Sequence, residues 1–262
     1  MTNILFISYA KYIKNVIITG GTRGIGKATS IEFANNGFNV IATTRNIKNK
    51  SELEKMFLNY IKGEGKVVVE ELDVNVEENV KNFIEKITTT YGKIDVLVNN
   101  AGIMIENVPL HETKTENFKK ILDTDLLGVY YCMKYTIQKM LAQGGGSIVN
   151  VASDAGLVGG YSSSLYTAAK HGVVGLTKCG ALDYATKNIR VNAVCPGCIK
   201  TEIFEDAFKR GTYTEESLAN LHPMKRMGTP EEVAKAIYFL ADDKSSFTTG
   251  ITLSVDGGLI AC

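Results

Sequence analysis

The chain has 262 residues, of which 45% are hydrophobic and 22% charged, a composition typical of a folded globular protein. A chain of this length can bury a large core without disulfide or metal crosslinks, which excludes a disordered chain and a small stapled scaffold. Its 29 basic and 28 acidic residues give a net charge of +1, which does not favour a nucleic-acid partner.

Short apolar runs alternate with helical patterns along the chain. The predicted strands cover residues 16–19, 40–42, 67–69, 94–98, 147–151, 189–194 and 251–254. The predicted helices cover residues 27–36, 52–61, 76–89, 116–141, 165–186 and 230–240. Continuously apolar strands that alternate with helices predict a single α/β domain with a doubly wound parallel sheet and helices on both faces. Ligands bind such a sheet beyond the carboxyl ends of its strands.

No apolar run approaches the ~18 residues needed to span a bilayer, so no membrane partner is predicted. The apolar patch at residues 4–7 lacks the flanking features of a signal peptide. The five cysteines are scattered and odd in number, unlike a secreted disulfide framework. We therefore expect a cytoplasmic protein.

A glycine-rich turn, TGGTRGIG at residues 19–26, joins the first predicted strand to the first helix. Glycines let a backbone approach a pyrophosphate closely, and a helix N-terminus offers free N–H groups and positive potential. The spacing departs from the usual G-x-G-x-x-G pattern, and the same glycines could serve a plain tight turn. The position between a β-branched run and a helix favours dinucleotide binding.

The end of the second predicted strand indicates which dinucleotide is bound. An NAD site usually carries an acidic residue there, about 20 residues after the glycine turn, to bind the ribose 2′-hydroxyl. Residues 42–45 read ATTR and contain no acid. Arg45 can bind a 2′-phosphate with two hydrogen bonds, and Arg23 could join it from the glycine turn. This pattern predicts that NADP(H) is preferred and NAD(H) is possible, unless Arg45 is only a solvated surface residue.

Further motifs follow the later strands: NNAG at residues 99–102, Ser153, Tyr166 with Lys170, and PG at residues 196–197. Together with the glycine turn, they resemble the short-chain dehydrogenase/reductase family. The similar branch holds the 3-oxoacyl-carrier-protein reductases and related alcohol and sugar dehydrogenases. The resemblance runs from about residue 15 to the end. It implies a Rossmann-type sheet of about seven strands, a nicotinamide cofactor, a small carbonyl or alcohol substrate, and a homotetramer or homodimer.

The resemblance places Ser153, Tyr166 and Lys170 at catalytic positions. It also implies cofactor contacts at the ends of several strands. These are made by Gly20, Thr22, Arg23, Gly24, Ile25, Gly26, Thr44, Arg45, Asp73, Val74, Asn100, Tyr166, Lys170, Ile199 and Thr201.

The domain boundaries follow from the same resemblance. Residues 15–262 form one dinucleotide-binding and catalytic domain, within which residues 202–227 cover the substrate as a lid. The alternative for that segment is a helical excursion packed on the core. Residues 1–14 form an N-terminal extension, interpreted as a contact arm, a frayed tail or an early start codon.

The residue types suit hydride transfer between NADP(H) and a carbonyl or secondary alcohol, which needs a proton donor and acceptor. Tyr166 can be that group if its pKa falls from about 10 toward 7, which takes about 4 kcal/mol. Lys170 lies four residues later on the same helical face, and a charge ~4 Å away supplies about 1 kcal/mol in water but about 4 kcal/mol at an effective dielectric of 20. Lys170 is therefore sufficient only in a partly dry cleft, with help from the positive charge of an oxidised nicotinamide. Ser153 would donate a hydrogen bond to the substrate oxygen.

Asp125 departs from the family pattern, which usually has Asn at this position. An ionised Asp only accepts hydrogen bonds, so it could pair with Lys170 or with a water beside it. It could also have its own pKa raised by burial, or weaken catalysis. We include Asp125 among the catalytic candidates. Asp125 is also the one feature that favours an alternative function, a catalytically weak or inert NAD(P)-binding regulator.

Two other patterns are not interpreted as sites. Cys195 and Cys198 match the redox C-x-x-C spacing but lie after a strand, away from a helix start that would stabilise a thiolate. His111, His171 and His222 are too dispersed for a metal cluster. No metal site is predicted.

Overall fold

Seven strands and nine α-helices are present in a computed structural model that describes residues 12–105, 108–209, 211 and 213–261. Of the predicted N-terminal extension at residues 1–14, residues 1–11 lie outside the described residues. The strands are β1 (Asn15–Ile18), β2 (Asn39–Thr44), β3 (Lys66–Glu71), β4 (Val96–Asn99), β5 (Gly146–Val151), β6 (Ile189–Pro196) and β7 (Thr252–Val255). The helices are α1 (Gly24–Asn35), α2 (Lys50–Leu58), α3 (Glu77–Tyr91), α4 (Thr115–Leu122), α5 (Gly128–Gln143), α6 (Ser164–Tyr184), α7 (Glu202–Lys209), α8 (Glu215–Leu221) and α9 (Pro230–Ala241).

The strands form one parallel sheet in the order β3-β2-β1-β4-β5-β6-β7, which confirms the predicted fold class. The order reverses beside β1, which pairs with β2 on one side and β4 on the other. Parallel strands all end at one edge, so the carboxyl ends of β1 and β4 flank the switch point where doubly wound sheets bind ligands.

Apolar side chains fill both faces of the sheet. One layer of the core joins the sheet to α3, α5 and α6, with Ile84, Met133 and Val173 all buried. The other joins it to α1 and α9, where Phe33 and Ile237 are fully buried. Because both faces are covered, the strands are almost continuously apolar, as the sequence predicted.

One predicted helix differs from the structure. The pattern at residues 116–141 predicts a single helix, whereas α4 and α5 are joined by a five-residue π-helical segment, Asp123–Leu127. Such segments place one extra residue in a turn and frequently occur at functional sites. Here the segment carries the fully buried Asp125. None of the helices described here is both long and apolar enough to cross a membrane.

Candidate active site

The glycine turn lies directly after β1 and leads into α1. Gly20 has φ +61°, a left-handed conformation that favours glycine. A Cβ on Gly26 would lie 2.2 Å from the carbonyl oxygen of Gly20, so a side chain there cannot fit. The turn is thus packed backbone against backbone, as a close approach to a pyrophosphate requires.

The N-terminus of α1 is open to an anion. Its N-cap residue, Arg23, makes no side-chain capping hydrogen bond, and the first turn contains no acidic residue. The first N–H groups of a helix have no partner within the helix, so they remain available to a phosphate. Thr22 and Ile25 are partly buried around this end, and the side chain of Arg23 is exposed. These residues fit a dinucleotide phosphate.

Asn100, after β4, holds the glycine turn in place. Its side-chain amide donates to the carbonyl oxygens of Thr19 at 2.9 Å and Gly20 at 3.1 Å. The hydroxyl of Thr19 accepts hydrogen bonds from the backbone N–H groups of Asn100 and Ala101. Sequence reasoning missed this role of Thr19; a hydroxyl at the last position before the glycines was the available signal.

The residues predicted to surround the adenosine lie at the ends of β2 and β3. Thr44 is partly buried and Arg45 is exposed, so the guanidinium is accessible at the rim. Asp73 is partly buried and accepts a hydrogen bond from the N–H of Asn75 at 3.0 Å. Val74 is 4% exposed and packs directly against Gly128. A Cβ on that glycine would lie only 2.8 Å from the valine side chain.

Ile199 and Thr201 follow β6. Ile199 is buried and forms an isolated parallel bridge with Gly228. Thr201 lies against the glycine turn, since a Cβ on Gly24 would be 3.3 Å from its methyl group. The same Cβ would be 3.4 Å from a carboxylate oxygen of Glu202, so this acid lies beside the N-terminus of α1. Sequence reasoning did not single out Glu202.

Tyr166 and Lys170 meet on one face of α6 beside the carboxyl end of β5. The ammonium nitrogen of Lys170 lies 5.3 Å from the ring centroid of Tyr166 and donates to the carbonyl oxygen of Val151 at 3.2 Å. Lys170 is buried and Tyr166 is partly exposed. A buried cation thus lies beside a partly buried tyrosine.

Ser153 follows β5, but its hydroxyl donates a hydrogen bond of 2.6 Å to the carboxylate of Asp154. Its oxygen accepts a hydrogen bond from the N–H of Ala155 at 3.2 Å. The predicted donation to a substrate oxygen therefore requires the hydroxyl to turn away from Asp154. The position of Asp154 next to Ser153 was the only sequence signal for this contact.

Asp125 is brought to Lys170, as one of the sequence alternatives proposed. Its Oδ2 lies 3.2 Å from the ammonium nitrogen, and both side chains are almost completely buried. Its Oδ1 accepts a hydrogen bond of 2.8 Å from the N–H of Ile103, in the loop after β4. Burial raises the pKa of Asp125, and the charge of Lys170 opposes this rise. The pKa of Lys170 is also raised: burial alone would lower it, but its interactions with Tyr166 and Asp125 outweigh burial.

The pKa of Tyr166 is raised above its ordinary value, chiefly by burial, and the charge of Lys170 lowers it only in part. The charges of Asp125 and Asp154 raise it further, while the interaction with Ser153 lowers it. The sequence-based expectation of a lowered pKa also counted the positive charge of an oxidised nicotinamide, and it stays a prediction for the complex with the cofactor. Burial disfavours a phenolate, and two carboxylates oppose the effect of the lysine.

Residues 202–227 contain α7 and α8, with residues 210 and 212 outside the description. Buried His222 connects the end of this segment to the turn after β6. Its Nε2 accepts a hydrogen bond from the N–H of Cys198 at 3.1 Å, which leaves Nδ1 to donate to the carbonyl of Leu218 at 2.9 Å. His222 thus anchors the segment, a role that the sequence alone did not indicate.

The other patterns show no sign of additional chemistry. Burial raises the pKa of both Cys195 and Cys198 to about 11, which disfavours the thiolates that redox chemistry needs. Within the described ranges, no three His, Cys, Asp or Glu side chains are arranged to hold a metal ion.

Comparison with known proteins identifies the family. Residues 20–260 match the family described as Enoyl-(Acyl carrier protein) reductase. The chain belongs to the short-chain dehydrogenase/reductase family of NAD(P)-dependent oxidoreductases. The predicted family is thereby confirmed.

Individual relatives match over nearly their whole length. The chain is 39% identical over 244 residues to cyclohexanol dehydrogenase of Acinetobacter sp. (strain SE19), covering 93% of this chain and 94% of that protein. It is 41% identical over 247 residues to the 3-oxoacyl-(acyl-carrier-protein) reductase FabG of Thermotoga maritima, covering 94% and 98%. A solved structure of ElxO with NADP bound has 43% identity and a TM-score of 0.91, covering 96% and 100%. This short-chain dehydrogenase/reductase is therefore similar along nearly its whole length to enzymes that are named for different substrates.

Proposed function

We propose that this enzyme transfers a hydride between NADP(H) and a carbonyl or secondary alcohol, with Tyr166 as the general acid and base. The observation that carries the proposal is the buried ammonium of Lys170, 5.3 Å from the ring centroid of Tyr166 at the carboxyl end of β5. The edge of the sheet that carries this pair also carries the glycine turn and Asn100. The proposed proton-transfer group and the proposed phosphate site thus lie at the same edge of the sheet.

The nicotinamide, when bound, supplies or accepts the hydride. Gly20, Gly24 and the N–H groups at the start of α1 would hold the diphosphate of the dinucleotide. Asn100 keeps the glycine turn in shape. Arg45 and Arg23, both exposed, would bind the 2′-phosphate, which supports NADP(H) over NAD(H). The remaining assignments place Thr44, Asp73 and Val74 near the adenosine, and Ile199 and Thr201 near the nicotinamide.

The protein residues then handle the proton. In reduction, Tyr166 donates its hydroxyl proton to the substrate oxygen as negative charge develops there, and in oxidation its phenolate removes that proton. Ser153 turns from Asp154 to donate a hydrogen bond to the same oxygen. Lys170 stabilises the phenolate electrostatically. Residues 202–227 cover the substrate as a lid, anchored by His222.

The names of the relatives guide the choice of substrates for a direct assay. NADPH absorbance is followed with cyclic ketones, diketones and 3-oxoacyl thioesters, and NADP⁺ reduction with the matching alcohols. Turnover of any member above the rate without enzyme supports hydride transfer. A preference for acyl thioesters would indicate the substrate class of the acyl-carrier-protein reductases. A preference for cyclic ketones would indicate that of the alcohol dehydrogenases.

An NAD(P)-binding regulator is the second candidate function. The Asp125–Lys170 ion pair favours it, because the carboxylate offsets the charge that would activate Tyr166. NADPH binding without turnover of any carbonyl substrate would support the regulator and refute the enzyme.

We also propose that the chain assembles as a homotetramer or homodimer. The support is the family's usual assembly together with exposed apolar side chains such as Phe239 and Phe247. Light scattering after size-exclusion chromatography tests this, and a mass of one chain would contradict it.

A further inference from the structure

We propose that Asp125 is a positioning residue that neutralises the ammonium of Lys170 and thereby keeps Tyr166 in its protonated, proton-donating form. The inference rests on the proposed hydride-transfer function and adds the regulation of its proton step. It predicts that reduction continues into alkaline solution and that alcohol oxidation begins only at high pH.

The environment of Asp125 requires a countercharge. Its side chain is fully buried, and Oδ2 accepts no well-aligned hydrogen bond from any residue that the structure describes. The compensating positive charge comes from Lys170, 3.2 Å away. A Cβ on Gly102 would lie 3.0 Å from this oxygen and 3.5 Å from the lysine nitrogen, so the loop after β4 closes over the pair. Two opposite charges in so dry a place remain strongly coupled.

The same ammonium faces Tyr166. Its nitrogen lies 3.2 Å from the carboxylate oxygen of Asp125 and 5.3 Å from the centroid of the phenol ring. A lone ammonium there would favour the phenolate, whereas an ammonium paired with a carboxylate presents little net charge. The carboxylate also repels a phenolate directly. Both effects favour the protonated phenol.

Other charged and titratable groups act on this pair from the neighbouring elements. Asp154, beside Ser153, adds negative charge near Tyr166, and Cys195 on β6 faces Lys170. The pKa of Cys195 is raised to about 11, so its thiol is neutral at ordinary pH. Asp125 is the carboxylate that forms an ion pair with Lys170, and it is therefore the one to change.

The decisive variant is Asp125→Asn, which removes the charge and keeps the shape. Asp123→Asn is the matched control, because Asp123 lies two residues earlier in the same π-helical segment and is exposed. For each protein, kcat/KM is measured against pH for ketone reduction by NADPH and for alcohol oxidation by NADP⁺. Thermal unfolding and quenching of protein fluorescence by NADPH establish that each variant is folded.

We expect Asp125→Asn to move the midpoints of both profiles to lower pH by about one unit or more, because removing a nearby like charge lowers a pKa by that order. Both midpoints should move in the same direction, because the same phenol donates the proton in reduction and accepts it in oxidation. The Asp123→Asn profiles should coincide with those of the wild type. A merely structural role for Asp125 would change the height of the profiles without moving their midpoints.

Coincident midpoints for wild type and Asp125→Asn would overturn the inference and leave the proposed function standing. Turnover by Asp125→Asn but not by the wild type would refute the proposed function for the natural chain, and with it the inference, which requires the wild type to carry out reduction. No turnover by either overturns both. If Asp125→Asn does not fold, the wild-type oxidation profile decides. Because an ordinary tyrosine has a pKa of about 10, a midpoint nearer pH 10 than pH 7 supports the inference, and a midpoint nearer pH 7, or below it, contradicts the inference.

Discussion

The side-chain amide of Asn100 donates a hydrogen bond of 3.1 Å to the carbonyl oxygen of Gly20, and so connects the end of β4 to the turn after β1. A second bond, to Thr19, is 2.9 Å long. The two strands on either side of the switch point are thus joined at the place where the cofactor phosphates are proposed to bind. We therefore expect Asn100 to act on the proposed cofactor site through the backbone that it holds.

We expect Asn100→Ala to lower the free energy of unfolding by about 1–3 kcal/mol, because it leaves two partly buried carbonyls without their donor. The loosened turn should weaken NADPH binding about tenfold, which corresponds to 1.4 kcal/mol. Urea unfolding and fluorescence titration with NADPH measure the two effects. Asn36→Ala, at the exposed end of α1, is the control. Unchanged affinity in Asn100→Ala would show that the turn keeps its shape unaided.

Arg45 is expected to select the cofactor. Arg45→Ala removes a charged donor to the 2′-phosphate, so kcat/KM with NADPH should fall about ten- to hundredfold, and the value with NADH should change little. Lys48→Ala removes a charge from the same exposed segment and serves as the control. Equal losses with both cofactors would assign Arg45 a role other than phosphate recognition.

Glu202 places a carboxylate beside the N-terminus of α1, where the cofactor phosphates are proposed to bind. Glu202→Gln removes this competing negative charge, and NADPH should bind about two- to fivefold more tightly at low salt, in line with 0.3–1 kcal/mol for a charge at a helix terminus. The gain should shrink as salt screens the interaction. Glu216→Gln, at the exposed start of α8, should bind NADPH like the wild type. Weaker binding by Glu202→Gln would mean that this carboxylate assists the cofactor.

Tyr166→Phe should lower kcat by at least about a hundredfold, since it removes the general acid and base while preserving the ring. NADPH affinity should stay close to that of the wild type, because the phosphate cradle is untouched. Steady-state kinetics and NADPH titration separate the two effects. Tyr161→Phe, at a fully exposed side chain in the preceding loop, is the control. Retained turnover in Tyr166→Phe would remove Tyr166 from the proton step.

The sequence by itself predicted the sheet, which the structure confirms, and the place of the candidate site at the carboxyl ends of its strands. Apolar runs such as residues 94–98 alternate with helical patterns, which favours strands covered on both faces. The glycine turn after the first strand marks the switch point. Tyr166 and Lys170 lie one helical turn apart, so their common face followed from helix geometry.

Only the tertiary structure decided the electrostatics of the site. Asp125 and Lys170 are far apart in sequence, and no local pattern states that a π-helical segment brings their side chains to 3.2 Å in a closed interior. The proximity of Glu202 to the glycine turn is also a tertiary contact, because it depends on where the chain lies after β6. Burial and charge neighbours set the pKa of Tyr166, and both are properties of packing between distant segments, which the order of residues along the chain does not express.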